Sequence, residues 1–124
     1  FVDEAFPHTR IRYHSHHDCH AATAWFGSGK INQSIFVVDG HGECDTTTFY
    51  QSNQKGMQRI NETKWPNSLG SIYLAITRYL GYDYGDEYKV MGMSAYGKPI
   101  FYELFKESVS VSNEGKIVIK DTTK

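Results

Sequence analysis

Four of the chain's six histidines fall within seven residues, in the stretch HSHHDCH that begins at His14. His16 and His20 are four residues apart, so on a helix their imidazoles share one face, with Cβ atoms about 5–6 Å apart. Two imidazoles at that separation can bind one divalent ion, because metal–nitrogen bonds are about 2 Å long. The spacing therefore predicts half of a metal site, although one capping and one solvated histidine would produce the same spacing.

The other polar residues of this stretch predict less. His14 and His17 point away from the shared face of such a helix, and a supporting or substrate-binding role for them is left open. Cys19 lies one residue from that face, and we expect a free thiol packed in the core rather than a ligand.

A second candidate site follows the apolar run SIFVV. Asp39 stands at the carboxyl end of this predicted strand, before Gly40, His41 and Gly42. An aspartate there could bind a metal, and glycines let a turn present backbone N–H groups to a phosphate without Cβ clashes. Asp39 is thus a candidate metal ligand, either directly or through a bound water, and Gly40, His41 and Gly42 form a candidate cofactor-binding turn. A plain Asp-Gly hairpin turn is the alternative, and from these residues alone it is the stronger one.

Hydrophobic periodicity predicts the elements that hold these residues. A helix is predicted at 16–26 and is ended by the glycines of the GSG sequence that follows. Strands are predicted at SIFVVDG, 46–51 and 57–65, and short turns between them indicate an antiparallel meander. Residues 11–13 are predicted to be a short extended run.

The second half of the chain is predicted to be mainly helical. The clearest helix follows Ser68, a good N-cap residue, and can end at Gly81 in the left-handed conformation. Shorter helices are predicted in DEYKVMGMS and IFYELFKE, and a hairpin around 113–115. The apolar face of the clearest helix is predicted to comprise Leu69, Ile72, Tyr73, Ile76, Tyr79 and Leu80.

Composition excludes several classes of function. The 124 residues are enough for one domain with a modest core. The net charge is −1 and the basic residues are scattered, so no nucleic-acid or membrane partner is expected, and no apolar run is long enough to span a bilayer. Two cysteines are too few for a disulfide scaffold, and without a visible secretion signal we expect reduced thiols and a cytoplasmic location. Since the first residue is Phe, we expect residues 1–124 to be a single-domain piece of a longer protein.

Four sequence blocks occur in an order typical of one family. They are HHDCHAATAWFGSG, VVDGHGE, SLGSIYLAITRYLGY and EYKVMGMSAYGKP, and together they span residues 14–99. In this order they resemble the amino-terminal domain of the carbamoyltransferase family, which includes nodulation-factor and antibiotic O-carbamoyltransferases. The last block departs from the family pattern V-M-G-L-A-P-Y-G, because Met93, Ser94 and Ala95 replace its Leu, Ala and Pro.

The resemblance implies a fold and a chemistry. The fold is α/β and actin/Hsp70/sugar-kinase-like (ribonuclease H-like), with two related halves around a nucleotide cleft, and this chain would form part of one half. In the family, carbamoyl phosphate and ATP yield a carbamoyl-adenylate, whose carbamoyl group passes to a hydroxyl of a small molecule such as a sugar, a nodulation factor or an antibiotic.

The resemblance also implies a cofactor. In the family a divalent metal, usually iron, lies between two histidines and aspartates from elsewhere, and zinc or manganese is the alternative ion here. Residue by residue, His16 and His20 match the histidines and Asp39 matches one aspartate. A further aspartate is expected from the rest of the parent chain, so the isolated piece is expected to be inactive.

Two other interpretations stay open. A protein that forms threonylcarbamoyl-adenosine on tRNA shares the fold superfamily and also uses HxxxH, but the doubled His16-His17 and the KVMG sequence favour a carbamoyltransferase. A noncatalytic domain that binds a metal or a partner is the third interpretation.

Overall fold

A computed structural model of the protein describes residues 2–6 and 8–120. One helical turn, α1 (Val2–Ala5), precedes the histidine-rich stretch, and α2 spans His16–Ser28. Three strands follow, β1 (Gln33–Gly42), β2 (Asp45–Asn53) and β3 (Gly56–Lys64). The remaining elements are α3 (Leu69–Tyr79), α4 (Glu87–Ser94), α5 (Tyr102–Ser108), β4 (Val109–Val111) and β5 (Ile117–Ile119).

The three long strands form one antiparallel sheet in the order β1-β2-β3, and β4 and β5 form a separate two-stranded sheet. The predicted meander, the α/β class and the C-terminal hairpin are therefore confirmed. The predicted first long helix is also confirmed, and it ends inside the glycine-containing segment, at Gly29, which has a φ of 65°.

The core lies between α2 and one face of the sheet. Side chains alternate along β1, so Ile35 and Val37 are buried under α2 while Phe36 and Val38 are exposed. The apolar cluster consists of Ala21, Ile35, Val37 and Tyr50, with Trp25 and Met57 packed at its edge. Because this cluster is small, the position of α2 also depends on polar contacts with the strands.

Three sequence predictions are wrong. Residues 11–13 form no strand. The predicted apolar face of α3 is not packed along its length, since Tyr79 is 90% and Leu80 49% exposed. The buried residue of this helix is Thr77. Cys19 is exposed rather than packed in the core, because His17 and Ala21 occupy the face of α2 that meets the sheet.

Two predictions about α3 are confirmed. The side-chain oxygen of Ser68 accepts a hydrogen bond from the Ser71 N–H at 3.0 Å, which caps the helix. Gly81 follows the helix with a φ of 88°, which is the left-handed region. No helix in the described part of the chain has the length and apolar character that a bilayer span requires.

Candidate metal centre

The structure brings the three predicted metal ligands together. His16 and His20 lie one turn apart on α2, and Asp39 lies on the neighbouring strand β1. The Nε2 of His16 is 2.7 Å from Oδ2 of Asp39 and 3.0 Å from Nε2 of His20. The Nε2 of His20 is 3.8 Å from the same carboxylate oxygen. One ligand atom from each residue therefore lies within 4.8 Å of the other two.

Protons alone cannot satisfy these contacts. If Nε2 of His16 carries a proton, its single N–H faces two acceptors, the Asp39 carboxylate and the His20 ring nitrogen. If Nε2 of His16 carries none, its lone pair faces a carboxylate oxygen at 2.7 Å. A cation at the centre of the cluster would accept all three lone pairs at once, so the donor set fits a metal better than it fits a hydrogen-bond network.

The distances and the exposure also fit a divalent ion. Bonds of about 2.0–2.2 Å to a shared ion place neighbouring ligand atoms roughly 3–3.5 Å apart. The observed separations of 2.7, 3.0 and 3.8 Å bracket that range. The side chain of Asp39 is 32% exposed and the two histidines are more exposed, so an ion there would keep positions open for other ligands. Imidazole and carboxylate ligands suit iron, zinc or manganese.

A bulge in β1 presents Asp39. The pairing of β1 with β2 is regular from Gln33 to Val38 and resumes at Gly42, which pairs with Asp45, so residues 39–41 face a shorter stretch of β2. Bulges bend a strand and redirect its side chains, often beside functional sites. The tight turn comes later, at Glu43, whose φ is 61°. The alternative of a plain Asp-Gly hairpin turn is therefore wrong.

Hydrogen bonds keep Asp39 ionised. Its Oδ1 accepts the N–H of Gly40 at 2.6 Å, and its Oδ2 faces His16. Burial alone would raise the pKa of Asp39, but the hydrogen bonds from His16 and from Gly40 outweigh burial and lower this pKa below its usual value. An ionised carboxylate is the form that binds a cation.

Of the three residues predicted to bind a cofactor, two line a cleft and the third is buried. Gly40 and His41 line a cleft of about 460 Å³ together with Asp39 and with residues of α3 and α4. The N–H of Gly40 donates to Asp39, and its carbonyl accepts from the hydroxyls of Ser68 and Ser71. Gly42 is buried under α2 instead, where an added Cβ would lie 2.8 Å from Cδ2 of His16 and would overlap His17.

The first turn of α3 forms the other wall of this cleft. A Cβ on Gly70 would lie 2.6 Å from the backbone nitrogen of Gly40, so only a glycine allows this approach. The backbone of the bulge therefore contacts the start of α3 through the hydroxyls of Ser68 and Ser71 and through Gly70.

His17 is a structural residue that sequence reasoning left unassigned. It is completely buried, and its Nδ1 lies 2.8 Å from Oγ1 of Thr48 on β2. Burial lowers the pKa of His17, so the ring is neutral at neutral pH. The Nε2 of this ring has no hydrogen-bond partner among the described residues. His14 is exposed and lies before α2, outside the cluster.

Arg59 is a second residue that the sequence did not single out. Its guanidinium donates to Asp45 at 2.6 Å and to Glu62 at 3.1 Å through Nη1, and to Asp18 at 2.9 Å and Ser15 at 3.0 Å through Nη2. Burial alone would lower the pKa of Arg59, but the hydrogen bonds to the three carboxylates raise it, so the charge is permanent. Alternation in MQRINETK predicted a strand here and carried no sign of this network.

Comparison with known proteins places this chain in a family. The family described as "Carbamoyltransferase N-terminus" matches residues 5–117. The chain is 35% identical over 102 residues to nodulation protein NolO of Bradyrhizobium diazoefficiens, covering 82% of this chain and 19% of that protein. It is 33% identical over 108 residues to nodulation protein NolNO of Sinorhizobium fredii, covering 86% of this chain and 16% of that protein. An uncharacterized protein of Synechocystis is 34% identical over 100 residues, with coverage of 80% and 16%.

The chain thus spans between 16% and 19% of the length of these relatives. The matched family range includes His16, His20 and Asp39, as well as the cleft residues of α3 and α4. The chain belongs to the carbamoyltransferase family, of which it represents the N-terminal region.

Proposed function

We propose that the chain supplies the metal-binding part of an ATP-dependent O-carbamoyltransferase. The convergence of His16, His20 and Asp39 within 4.8 Å is the observation that carries this proposal. Family membership supports carbamoyl transfer as the reaction class.

The proposed reaction has two stages. Water first hydrolyses carbamoyl phosphate to carbamate and phosphate, and a carbamate oxygen attacks the α-phosphorus of ATP, which gives carbamoyl-adenylate and releases pyrophosphate. A hydroxyl oxygen of the acceptor then attacks the carbamoyl carbon. The new C–O bond forms as the bond to the phosphate oxygen of AMP breaks, and the hydroxyl loses its proton. A divalent ion bound by the cluster would stabilise negative charge on phosphate oxygens near the reacting carbon.

The chain's own residues prepare the site in three ways. Asp39 holds His16 in orientation through the 2.7 Å contact and brings a negative charge to the cluster. Gly40 binds the Asp39 carboxylate through its N–H and the start of α3 through its carbonyl, which fixes the bulge. The cleft of about 460 Å³ beside Asp39 leaves room for a phosphate-bearing substrate next to the cluster.

The fold proposal follows the same reasoning. An antiparallel three-strand meander followed by a helix is what one half of an actin/Hsp70/sugar-kinase-like fold would begin with. The relatives are five to six times as long as the matched segment, which leaves ample chain for a second half that would carry further ligands and the nucleotide site.

The proposed acceptor is a hydroxyl of a small molecule. Two relatives bear the name nodulation protein, which supports a nodulation-factor or other sugar-like acceptor. An antibiotic-like hydroxyl compound belongs to the same chemical class. The family match also favours carbamoyl transfer to a small molecule over modification of tRNA and over a noncatalytic role.

Metal content tests the proposal directly. In the intact parent protein, His16→Ala and His20→Ala should each remove most of the bound iron, zinc or manganese, because either change leaves an incomplete ligand set. In the isolated chain, metal affinity is expected to be weak because a further ligand is missing. The double variant should lose little more than either single one, since the residues act on one shared site. Elemental analysis after dialysis measures the bound metal.

His14→Ala is the matched control, because His14 is exposed and lies outside the cluster. It should keep the metal content of the unsubstituted protein. Full metal occupancy in both His16→Ala and His20→Ala would show that the histidines form an ordinary helix surface, and the proposed function would have to be withdrawn.

A further inference from the structure

The metal cluster takes its ligands from two elements, since His16 and His20 lie on α2 and Asp39 lies on β1. A displacement of about 0.5 Å is enough to disturb a constellation of this kind. Ser15 is the N-cap residue of α2, yet its side chain makes no capping hydrogen bond to its own helix. The position of the first turn must therefore be set by groups outside the helix.

Arg59 makes contacts of this kind from β3. Its Nη2 donates to Oγ of Ser15 at 3.0 Å and to Oδ1 of Asp18 at 2.9 Å, both at the start of α2. Its Nη1 donates to Oδ2 of Asp45 at 2.6 Å, and the guanidinium lies 5.5 Å from the ring centre of Tyr50. One planar group thus bonds the helix start through one nitrogen and the sheet through the other.

A bulge follows Arg59 in β3 and separates its face from that of Asn61. Tyr50 pairs with Arg59 and Phe49 pairs with Asn61, which leaves Ile60 as an extra residue. Residues two apart in a regular strand share a face. Here Arg59 contacts α2, whereas Asn61 donates to a carbonyl of the β4–β5 turn. The bulge therefore assigns these two side chains to opposite faces of the sheet.

We propose that Arg59 is a positioning residue of the metal centre, fixing the first turn of α2 so that His16 and His20 meet Asp39. Arg59 contributes no ligand and acts through the helix start. The inference rests on the proposed function, because it requires the cluster to bind a metal.

Cobalt binding to the protein tests the inference, because the visible absorption of bound Co²⁺ reports ligand geometry. Arg59→Lys keeps the positive charge but loses the planar fork. The Kd for Co²⁺ should rise by about 10- to 100-fold, the usual effect of losing a group that orients metal ligands. The visible spectrum of the fully loaded variant should also change, which loss of stability alone would not cause.

Asn61→Ala is the matched control, since Asn61 lies on the same strand but contacts the β4–β5 turn. It should leave both the Kd and the spectrum unchanged. Ser15→Ala removes one bond between Arg59 and the helix and decides the matter if Arg59→Lys does not fold. A smaller rise in Kd is expected for it.

An unchanged Kd and spectrum in Arg59→Lys and Ser15→Ala, with normal Co²⁺ binding by the unsubstituted protein, would overturn the positioning role alone. These measurements use the full-length parent protein, because a further ligand is expected from the rest of that chain. Absence of Co²⁺ binding by the unsubstituted parent would overturn the proposed function and this inference with it.

Discussion

Residues 16–64 and residues 69–108 differ in what they bury. In the first region, α2 and the sheet enclose an apolar cluster, and His17, Thr48 and Ser52 are buried as well. In the second region, Thr77 is the buried residue of α3, and neither α4 nor α5 buries a side chain. Large apolar side chains lie on the surface there, including Tyr79, Tyr84, Tyr96, Ile100 and Phe101.

The difference separates two kinds of support for the metal cluster. The proposed ligands stand on α2 and β1, the two elements that enclose the apolar cluster. The helical region reaches the cluster through the first turn of α3, where Gly70 and Ser71 meet the backbone of Gly40. We therefore expect substitutions in the packed region to affect stability and the site together, and most substitutions in α3 to α5 to affect neither.

The largest effect is expected from Gly42→Ala. The added Cβ would overlap His17 and would lie 2.8 Å from Cδ2 of His16, so α2 must move away from the sheet. Overpacking of this kind costs about 1–3 kcal/mol of unfolding free energy. Urea unfolding measures the loss, and Co²⁺ binding should weaken in parallel because His16 is displaced.

Gly27→Ala is the control for that change, because nothing lies within 4 Å of its added Cβ and it sits in α2. It should stabilise the protein by about 0.5–1 kcal/mol through helix propensity. Equal urea midpoints for the two alanine variants would contradict the close packing of α2 on β1.

Two tyrosine substitutions, one in each region, allow a direct comparison of stability, with a smaller expected loss. The hydroxyl of Tyr50 donates to Oδ1 of Asp18 at 2.7 Å, and the ring is in the core. Tyr50→Phe should lower the free energy of unfolding by about 1.5 kcal/mol, because the lost hydrogen bond has a charged acceptor. Tyr79→Phe should change stability by less than about 0.5 kcal/mol, because Tyr79 lies at the surface. If thermal unfolding shows equal stability for both variants, the expected difference between the two regions is wrong.

The smallest effect concerns acid stability. The hydrogen bonds from Lys64 and Arg59 lower the pKa of Glu62 below its usual value. A carboxyl group with a lowered pKa stabilises the fold above its unfolded-state pKa, and this contribution is lost as the pH falls through the folded-state pKa. On acidification, Glu62→Gln should therefore lose less stability than the unsubstituted protein. The difference should be less than about 1 kcal/mol of unfolding free energy, because Glu62 is partly exposed.

Glu103→Gln on the exposed surface of α5 is the matched control and should keep the pH dependence of the unsubstituted protein. Stability measured by urea unfolding between neutral and acidic pH compares the three proteins. The same acid dependence in Glu62→Gln and in the unsubstituted protein would show that the Glu62 carboxylate does not contribute.

Local sequence pattern predicted the elements well where one face of each is buried. The short β-rich run SIFVVDG and the helical spacing of His16 and His20 depend on residues close in sequence, so the strand and the paired imidazoles were predictable. That only alternate side chains of the run are buried was not predicted. Asp39 was predictable because it directly follows the buried run. The face of α3 was not, because its apolar spacing is helical while Tyr79 and Leu80 of the predicted face are exposed and the polar Thr77 is buried.

Features that depend on pairing between strands could not be predicted. The bulge at residues 39–41 and the extra residue Ile60 arise from register between strands, which the pattern within one strand does not encode. The bonds from Arg59 to Ser15 and Asp18 join residues 44 and 41 positions apart. Such contacts carry no local signal, so the contacts of Arg59 could not be predicted, whereas the three residues that lie together in the cluster were each singled out.

The extra residue in β3 also bears on where this domain tolerates a change in length. Removing Ile60 would restore a regular ladder with β2 and keep Arg59 and Asn61 on their present faces. Removing Asn61 instead would also restore a regular ladder and leave Glu62 opposite Thr48, but it would place Ile60 opposite Phe49, where Asn61 now bonds the β4–β5 turn. We therefore expect deletion of Ile60 to keep the hydrogen bond between β3 and the β4–β5 turn, and deletion of Asn61 to lose it.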